Sequence, residues 1–249
     1  LYGLVVGRFS GFFLNPNTAG IVCLLGMAIS FTLKSPYWRI LGQLTFTLAG
    51  ILTLSRTFIV IWIFINLLAI YKDRKNLLVP MVGAMALIVM ITFTDRKLFA
   101  ADRFDALIAF FGDGQVQTKT VNNDSRSQTW ALYYDLVFEK PIIGNGYKSF
   151  QIKNNKYPGA HNTYLMIIGE SGVVPFLLFT SIFLYLLKYS LLHFKKEPSL
   201  LYALLVVSLN LMVSHTFFSN YQSIALSVFI FLRIRMLNNN KKEQEFLNI

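Results

Sequence analysis

Five side chains in the polar stretches of this chain have the chemistry of a transfer site. His161, in Ala160-His161-Asn162-Thr163-Tyr164, stands where the chain re-enters apolar sequence. An imidazole with a reference pKa of about 6.5 can take the proton that a hydroxyl nucleophile must lose. The other reading of His161 is a helix-start residue bonded to backbone. Arg126 follows Ser125 in Ser125-Arg126-Ser127-Gln128, the spacing of a capping box. It therefore falls in the first turn of a helix, where free N–H groups and the helix dipole already favour an anion. A guanidinium there suits a phosphate; otherwise it is solvated or paired with Asp124. Arg56, in Leu54-Ser55-Arg56-Thr57, and Arg8, in Gly7-Arg8-Phe9, are each a further anion contact or a headgroup anchor. Glu170, in Glu170-Ser171-Gly172, is either a site-lining carboxylate or half of an ion pair, because a carboxylate beside apolar sequence needs a partner. Asn162 and Tyr164 flank His161 closely enough to line the same site. His215 and His193 read as structural, Asn15-Pro16-Asn17 as a turn and helix cap, and Asn66 and Asn210 as interhelical hydrogen-bond partners.

Other chemistries leave no trace. The chain has no Walker loop, dinucleotide fingerprint, Asp-x-Asp pair or His-x-x-x-His. No metal and no cofactor are expected, so energy must arrive with the substrate. Cys23, the single cysteine, lies in an apolar run, which excludes an intrachain disulfide and a cysteine metal cluster.

The elements that position these residues follow from composition. Of 249 residues 55% are hydrophobic and 14% charged, against about 25% charged in soluble domains; an ordinary soluble enzyme is excluded. Seven apolar blocks have roughly the length of a bilayer crossing, at 17–34, 37–54, 57–71, 77–93, 173–192, 199–215 and 219–236. The expected fold is an all-α, polytopic transmembrane helical bundle with a large external loop that contains short helices. A four-span portion, 1–93, precedes an external catalytic loop, 94–172, followed by a three-span portion, 173–236, and a tail, 237–249. Within the loop a helix starts at the Ser125 cap, carries an apolar stripe of Trp130, Tyr133, Tyr134, Val137 and Phe138, and stops at Pro141. Gly169, Gly172 and Pro175 predict a break, so that 163–171 forms an interfacial helix turning into the next span. Since Leu1 follows no signal segment, the chain reads as the C-terminal part of a longer protein.

The net charge of +11 is explained by topology. Lys34 and Arg39, Lys72, Arg74 and Lys75, Lys188, Lys195 and Lys196, and Arg233, Arg235, Lys241 and Lys242 fall on one side of the spans; Arg8 and Arg56 fall on the other. The first side, with the C-terminus, is cytoplasmic. Anionic lipid rather than nucleic acid is then the partner of the excess charge. Arg8, Arg56, Arg126 and His161 share the external face. No nucleotide-sugar is available there, so a transferase needs a donor activated and carried across on a lipid; a lipid diphosphate supplies one, and arginines can stabilise its leaving charge.

The order Asn15-Pro16-Asn17, Ser55-Arg56, Arg126 with Trp130, Glu139-Lys140-Pro141-Ile142-Ile143-Gly144-Asn145-Gly146, His161-Asn162-Thr163-Tyr164-Leu165 and Glu170-Ser171-Gly172 resembles the O-antigen ligase and polysaccharide polymerase family, most specifically from Arg126 to Gly172. The resemblance covers nearly the whole chain. It implies a multi-pass glycosyltransferase of the bacterial cytoplasmic (inner) membrane, C-type, metal-independent and inverting, with a catalytic loop facing the periplasm or exterior. Such an enzyme moves an oligosaccharide from undecaprenyl diphosphate onto a sugar hydroxyl of another lipid-linked repeat (polymerase) or of lipid A core or another acceptor (ligase). By position, His161 is the implied base or acceptor-positioning group, and Arg56, Arg126 and Arg8 bind the diphosphate. A flippase and a chain-length regulator are implied partners. Polymerase is favoured over ligase. A transporter of the same lipid-linked glycan is the rival from another class; it needs charge deep in the bundle, and no inverted repeat is visible.

Overall fold

Asn15 and Pro16 open the helical part of the chain as their types dictate: the Asn15 side chain accepts a hydrogen bond from the Asn17 amide at 2.8 Å, and Pro16 takes the position where no N–H is needed. In the computed structural model the described residues are 4–5, 8–93, 126–152 and 157–247. They are helical apart from connecting turns and an antiparallel pair of two-residue strands, β1 (Leu4–Val5) and β2 (Arg8–Phe9), in the register Leu4 with Phe9 and Val5 with Arg8. The chain divides into two compact units, Leu1–Ser125 and Arg126–Ile249.

The first unit holds α1 (Pro16–Ser30), α2 (Pro36–Leu52), α3 (Arg56–Lys72) and α4 (Leu78–Phe93). Glycines set how closely these helices approach. A Cβ on Gly26 would meet the Phe46 ring at 2.4 Å, and one on Gly50 would meet the Phe58 ring at 2.0 Å, the small-residue packing that helices use where water gives no hydrophobic drive. Trp62 makes an interhelical hydrogen bond, its indole N–H donating to Thr47 Oγ1 at 3.0 Å. Asn66, the partner expected from sequence, instead donates from its amide to the Trp62 carbonyl of its own helix at 2.8 Å, since a carbonyl one turn back is always within reach.

The second unit holds α5 (Arg126–Glu139), α6 (Thr163–Ser171), α7 (Val173–Leu192), α8 (Pro198–Leu211) and α9 (Tyr221–Leu247). The Ser125 cap and the loop from 94 to 125 lie outside the described residues. The expected apolar stripe of α5 divides in two. Tyr133 is fully buried in a core with Phe150, Ala160, Met166 and Ile167, and Val137 packs against it, whereas Tyr134 and Phe138 are exposed. Residues 133 and 137 share the helix face that meets the core, while 134 and 138 turn away from it and Trp130, between the two, is half-buried.

The predicted break between α6 and α7 occurs at Gly172, with φ +83°. There is no room for a side chain: a Cβ on Gly172 would lie 1.9 Å from the Ile142 carbonyl oxygen. The Pro141–Gly146 turn explains this crowding. It wraps the end of α6, with the Asn145 amide donating to Gly169 O at 2.8 Å, Gly146 N to Glu170 O at 3.0 Å, and Val173 N donating back to Pro141 O at 2.9 Å. What reads in sequence as a simple turn is thus the cap of a broken helix.

Beyond the break, α7 is the one helix among the described residues long and apolar enough to cross a membrane; α1 and α8 are shorter apolar helices. Leu177, Leu178, Ile182 and Leu184 of α7 are more than half exposed, an outward apolar surface that suits lipid. By contrast α8 is largely buried and ends at Leu211, short of the expected 215. Local bonds stop it: Ser214 Oγ pairs with Thr216 Oγ1 at 2.8 Å and accepts from the Thr216 amide at 3.2 Å. At the far end α9 continues past 236 to Leu247, so the expected tail is largely helical.

Candidate active site

His161 is presented by its neighbours. It has φ +44°, a left-handed conformation costly for a side-chain-bearing residue, and it is exposed. Each residue around it is tied down. The Gly159 amide donates to Tyr133 Oη at 2.9 Å, and the Ala160 amide to Phe150 O at 3.0 Å. After it, Asn162 caps α6 by accepting from the Leu165 amide at 3.1 Å, and Thr163 Oγ1 donates to the Ser214 carbonyl at 2.6 Å. Tyr164 Oη donates to Ser208 O at 3.4 Å, a longer contact to α8. Asn162 and Tyr164 are therefore braces of the His161 turn.

Glu170 is buried, and its two oxygens accept from the Phe150 amide at 2.9 Å and from Gln151 Nε2 at 2.8 Å. The ion pair considered from sequence gives way to hydrogen bonds, since backbone amides satisfy a carboxylate without burying a second charge. Glu170 also lines a groove of ≈ 490 Å³ within this unit, with Gln151 and His215 at its polar part and Pro175, Leu178, Phe179 and Ile182 along its apolar wall. Polar side chains beside an apolar wall fit an amphiphile.

His215, read from sequence as structural, belongs to this cluster. Its ring centroid lies 4.8 Å from that of His161, and it also lines the groove. The Thr163 bond to Ser214 places it there. Burial is the main cause holding its imidazole below the ordinary histidine value, the His161 charge adds to that, and Glu170 acts the other way. The expected topology held the clue to it, because it puts the end of the sixth apolar block on the same side as His161. Gln151 and Tyr133 carried no comparable signal.

The arginines occupy helix starts or brace them. Arg126 is the first residue of α5, with no acidic residue in that turn, and its side chain lies outside the described part. Arg56 is the first residue of α3, exposed, again with no acidic residue in the turn. A cation at a helix N-terminus opposes the dipole, so both positions are suited to an added anion. Arg8, in the same unit as Arg56, donates from Nε to the Thr53 carbonyl at 2.9 Å and from Nη2 to Asn17 Oδ1 at 3.0 Å. It thereby braces the α2–α3 turn that carries Arg56. Arg8 and Arg56 belong to the first unit, Arg126, His161, Asn162, Tyr164 and Glu170 to the second. His193, the remaining histidine, pairs with Asn238 Oδ1 at 2.9 Å.

Comparison with known proteins gives one family. The family described as O-antigen ligase matches residues 41–180, more than half of the chain. No curated protein and no solved structure matches. The matched segment contains Arg56, Arg126, the Pro141–Gly146 turn, His161 and Glu170, and leaves out Arg8 and His215. The residues that brace the His161 turn, Tyr133, Phe150, Asn162 and Thr163, all fall inside it, and on that match the chain belongs to the O-antigen ligase family, membrane enzymes of polysaccharide synthesis of the ligase and polymerase type.

Proposed function

We propose that this protein transfers an oligosaccharide from an undecaprenyl-diphosphate donor to a sugar hydroxyl, polymerising lipid-linked repeats on the outer side of the cytoplasmic membrane. The observation that carries this reading is His161: an exposed imidazole held in a strained backbone conformation by bonds on both sides, within the family match. A strained backbone that presents an exposed side chain, held by the structure on both sides, supports a residue placed for use.

In the proposed step His161 takes the proton of the acceptor hydroxyl. The acceptor oxygen bonds to the anomeric carbon from the face opposite the leaving group, the bond from that carbon to the diphosphate oxygen breaks, and the electron pair leaves on the diphosphate, with inversion. Arg126, in the same unit as His161, stabilises that charge, and Arg56, braced by Arg8, is a further anion-binding position in the first unit. The basic side of the spans faces the cytoplasm, and 94–172 is the external catalytic loop between a four-span and a three-span portion. The apolar surface of α7 supports its place in lipid, and the groove beside it supports a lipid-borne substrate.

Comparing wild type with His161→Ala, as full-length protein in a deletion host, tests this on total envelope glycan and extracted lipid-linked oligosaccharide. Single lipid-linked repeats accumulating outside with loss of long chains is the expected result. Normal-length chains stranded on the carrier would make the enzyme a ligase, and repeats trapped on the cytoplasmic face would overturn the transferase reading in favour of transport. Retained chain length and yield would remove His161 from the mechanism. Arg126→Ala should raise the KM for the lipid-linked donor by about tenfold or more, and Arg126→Lys by less, because lysine keeps the charge and loses the planar fork; equal, negligible effects would return Arg126 to a solvated loop residue.

A further inference from the structure

His215 has two features that its packing alone does not require. Its ring stands 4.8 Å from His161, tilted by 59°, and its Nδ1 is buried with no hydrogen-bond partner among the described residues. A Cβ on Gly159 would come within 3.7 Å of His215 Cε1, so the ring also rests against the segment that leads into His161. An imidazolium donates from both nitrogens. Protonating His215 would therefore place an N–H on a buried atom with nothing to accept it, whereas the neutral ring protonated on Nε2 leaves only an acceptor unfilled.

We propose that His215 is a positioning residue for the proton transfer at His161: its ring stays uncharged, supports the His161 turn, and leaves the exposed imidazole as the member of the pair that takes the proton. The inference rests on the reading of His161 as proton acceptor. Among the described residues few charged or titratable groups face His215. His161 comes from the turn before α6 and Glu170 from α6 itself, while Tyr147 shares the groove. No Lys, Arg or Asp is among the described residues lining it. The Glu170 carboxylate would favour a charged His215, but it is already engaged by the Phe150 amide and Gln151. Burial and the neighbouring His161 act against that charge and prevail. With the His215 ring neutral, His161 is the member of the pair left to take the proton. When His161 becomes cationic during transfer, it does so beside an aromatic ring rather than a second cation.

The experiment is the pH dependence of initial rate for full-length protein in proteoliposomes, with lipid-linked oligosaccharide as both donor and acceptor, for wild type, His161→Ala and three variants of His215. His215→Ala should lower kcat about tenfold, a larger effect than its change in donor KM, since it loosens the His161 turn while its ring is only one of the side chains that line the groove. His215→Phe should recover most of that loss, because a ring without a proton is all the position needs. His215→Lys should move the acid limb of the profile down by about one pH unit, because a fixed neighbouring cation disfavours the protonated His161. A wild-type rate for His215→Ala, no recovery with Phe, an acid limb unmoved by Lys, or failure of all three variants to insert would each overturn the inference while leaving His161 in place. A wild-type rate for His161→Ala would instead overturn the reading of His161 and this inference together.

Discussion

The turns that lead into α3 and α6 share a local design. At α3 Leu54 takes φ +49°, Ser55 caps the helix and Arg56 is its first residue; at α6 His161 takes φ +44°, Asn162 caps and Thr163 follows. A left-handed side-chain-bearing residue costs about 1–3 kcal/mol in either place. What offsets that cost differs. Leu54 is 2% exposed, so burial of its side chain compensates the conformation directly. The His161 side chain is exposed, so burial does not offset its conformation; Tyr133, Phe150 and Ser214 hold the residues on either side of it. The same backbone device serves packing in one unit and presentation in the other.

The sharpest way to break the comparison is to truncate both left-handed residues. His161→Ala should reduce glycan transfer by about 100-fold or more with thermal unfolding in detergent little changed, while Leu54→Ala should cost about 2–3 kcal/mol of stability and leave the rate per folded molecule near wild type. If His161→Ala destabilises as much as Leu54→Ala, the two turns are alike and both serve packing. The start of α6 also depends on the far end of that helix. Gly172→Ala forces a Cβ into the Ile142 carbonyl, so α6 and the Pro141–Gly146 turn cannot both keep their places. A loss of about 3 kcal/mol, read as a lower Tm in detergent, is expected together with reduced transfer; an unchanged Tm would mean that the turn is free to move. The smallest effect compares the caps. Ser55→Ala and Asn162→Ala should each cost about 1 kcal/mol. Only Asn162→Ala should also lower kcat, because only that cap aims the residue before it; equal rates in the two variants would separate the cap from the chemistry.

Much of the helical architecture is legible in the sequence. The block at 173–192 coincides with α7, and the starts of α1, α2 and α8 fall at Pro16, Pro36 and Pro198, where a missing N–H costs nothing. The departures have local causes. Hydropathy overruns α8 because Val213 and its neighbours are apolar enough for lipid, while the Ser214 and Thr216 hydroxyls turn the backbone out of the helix. It stops α9 too early because Asn, Lys, Glu and Gln leave a membrane without leaving a helix. In the site, Arg56, Arg126 and His161 are visible because charge and imidazole at helix starts are local features. His215 reads as structural because its partner is 54 residues away in sequence and meets it only through the Thr163 bond to Ser214.

The sequence by itself determined the apolar helices, the breaks at Gly172 and Pro141, and which side chains have the chemistry of a transfer site, because propensity, capping and hydropathy act over a few residues. Only the tertiary structure decided how those side chains are held: that Glu170 accepts from Phe150 and Gln151 rather than from an arginine, that Arg8 braces the turn bearing Arg56, and that His161 is strained, exposed and set against His215. Each of these rests on hydrogen bonds or ring contacts between residues far apart along the chain, and their geometry exists only once the helices that carry them have packed.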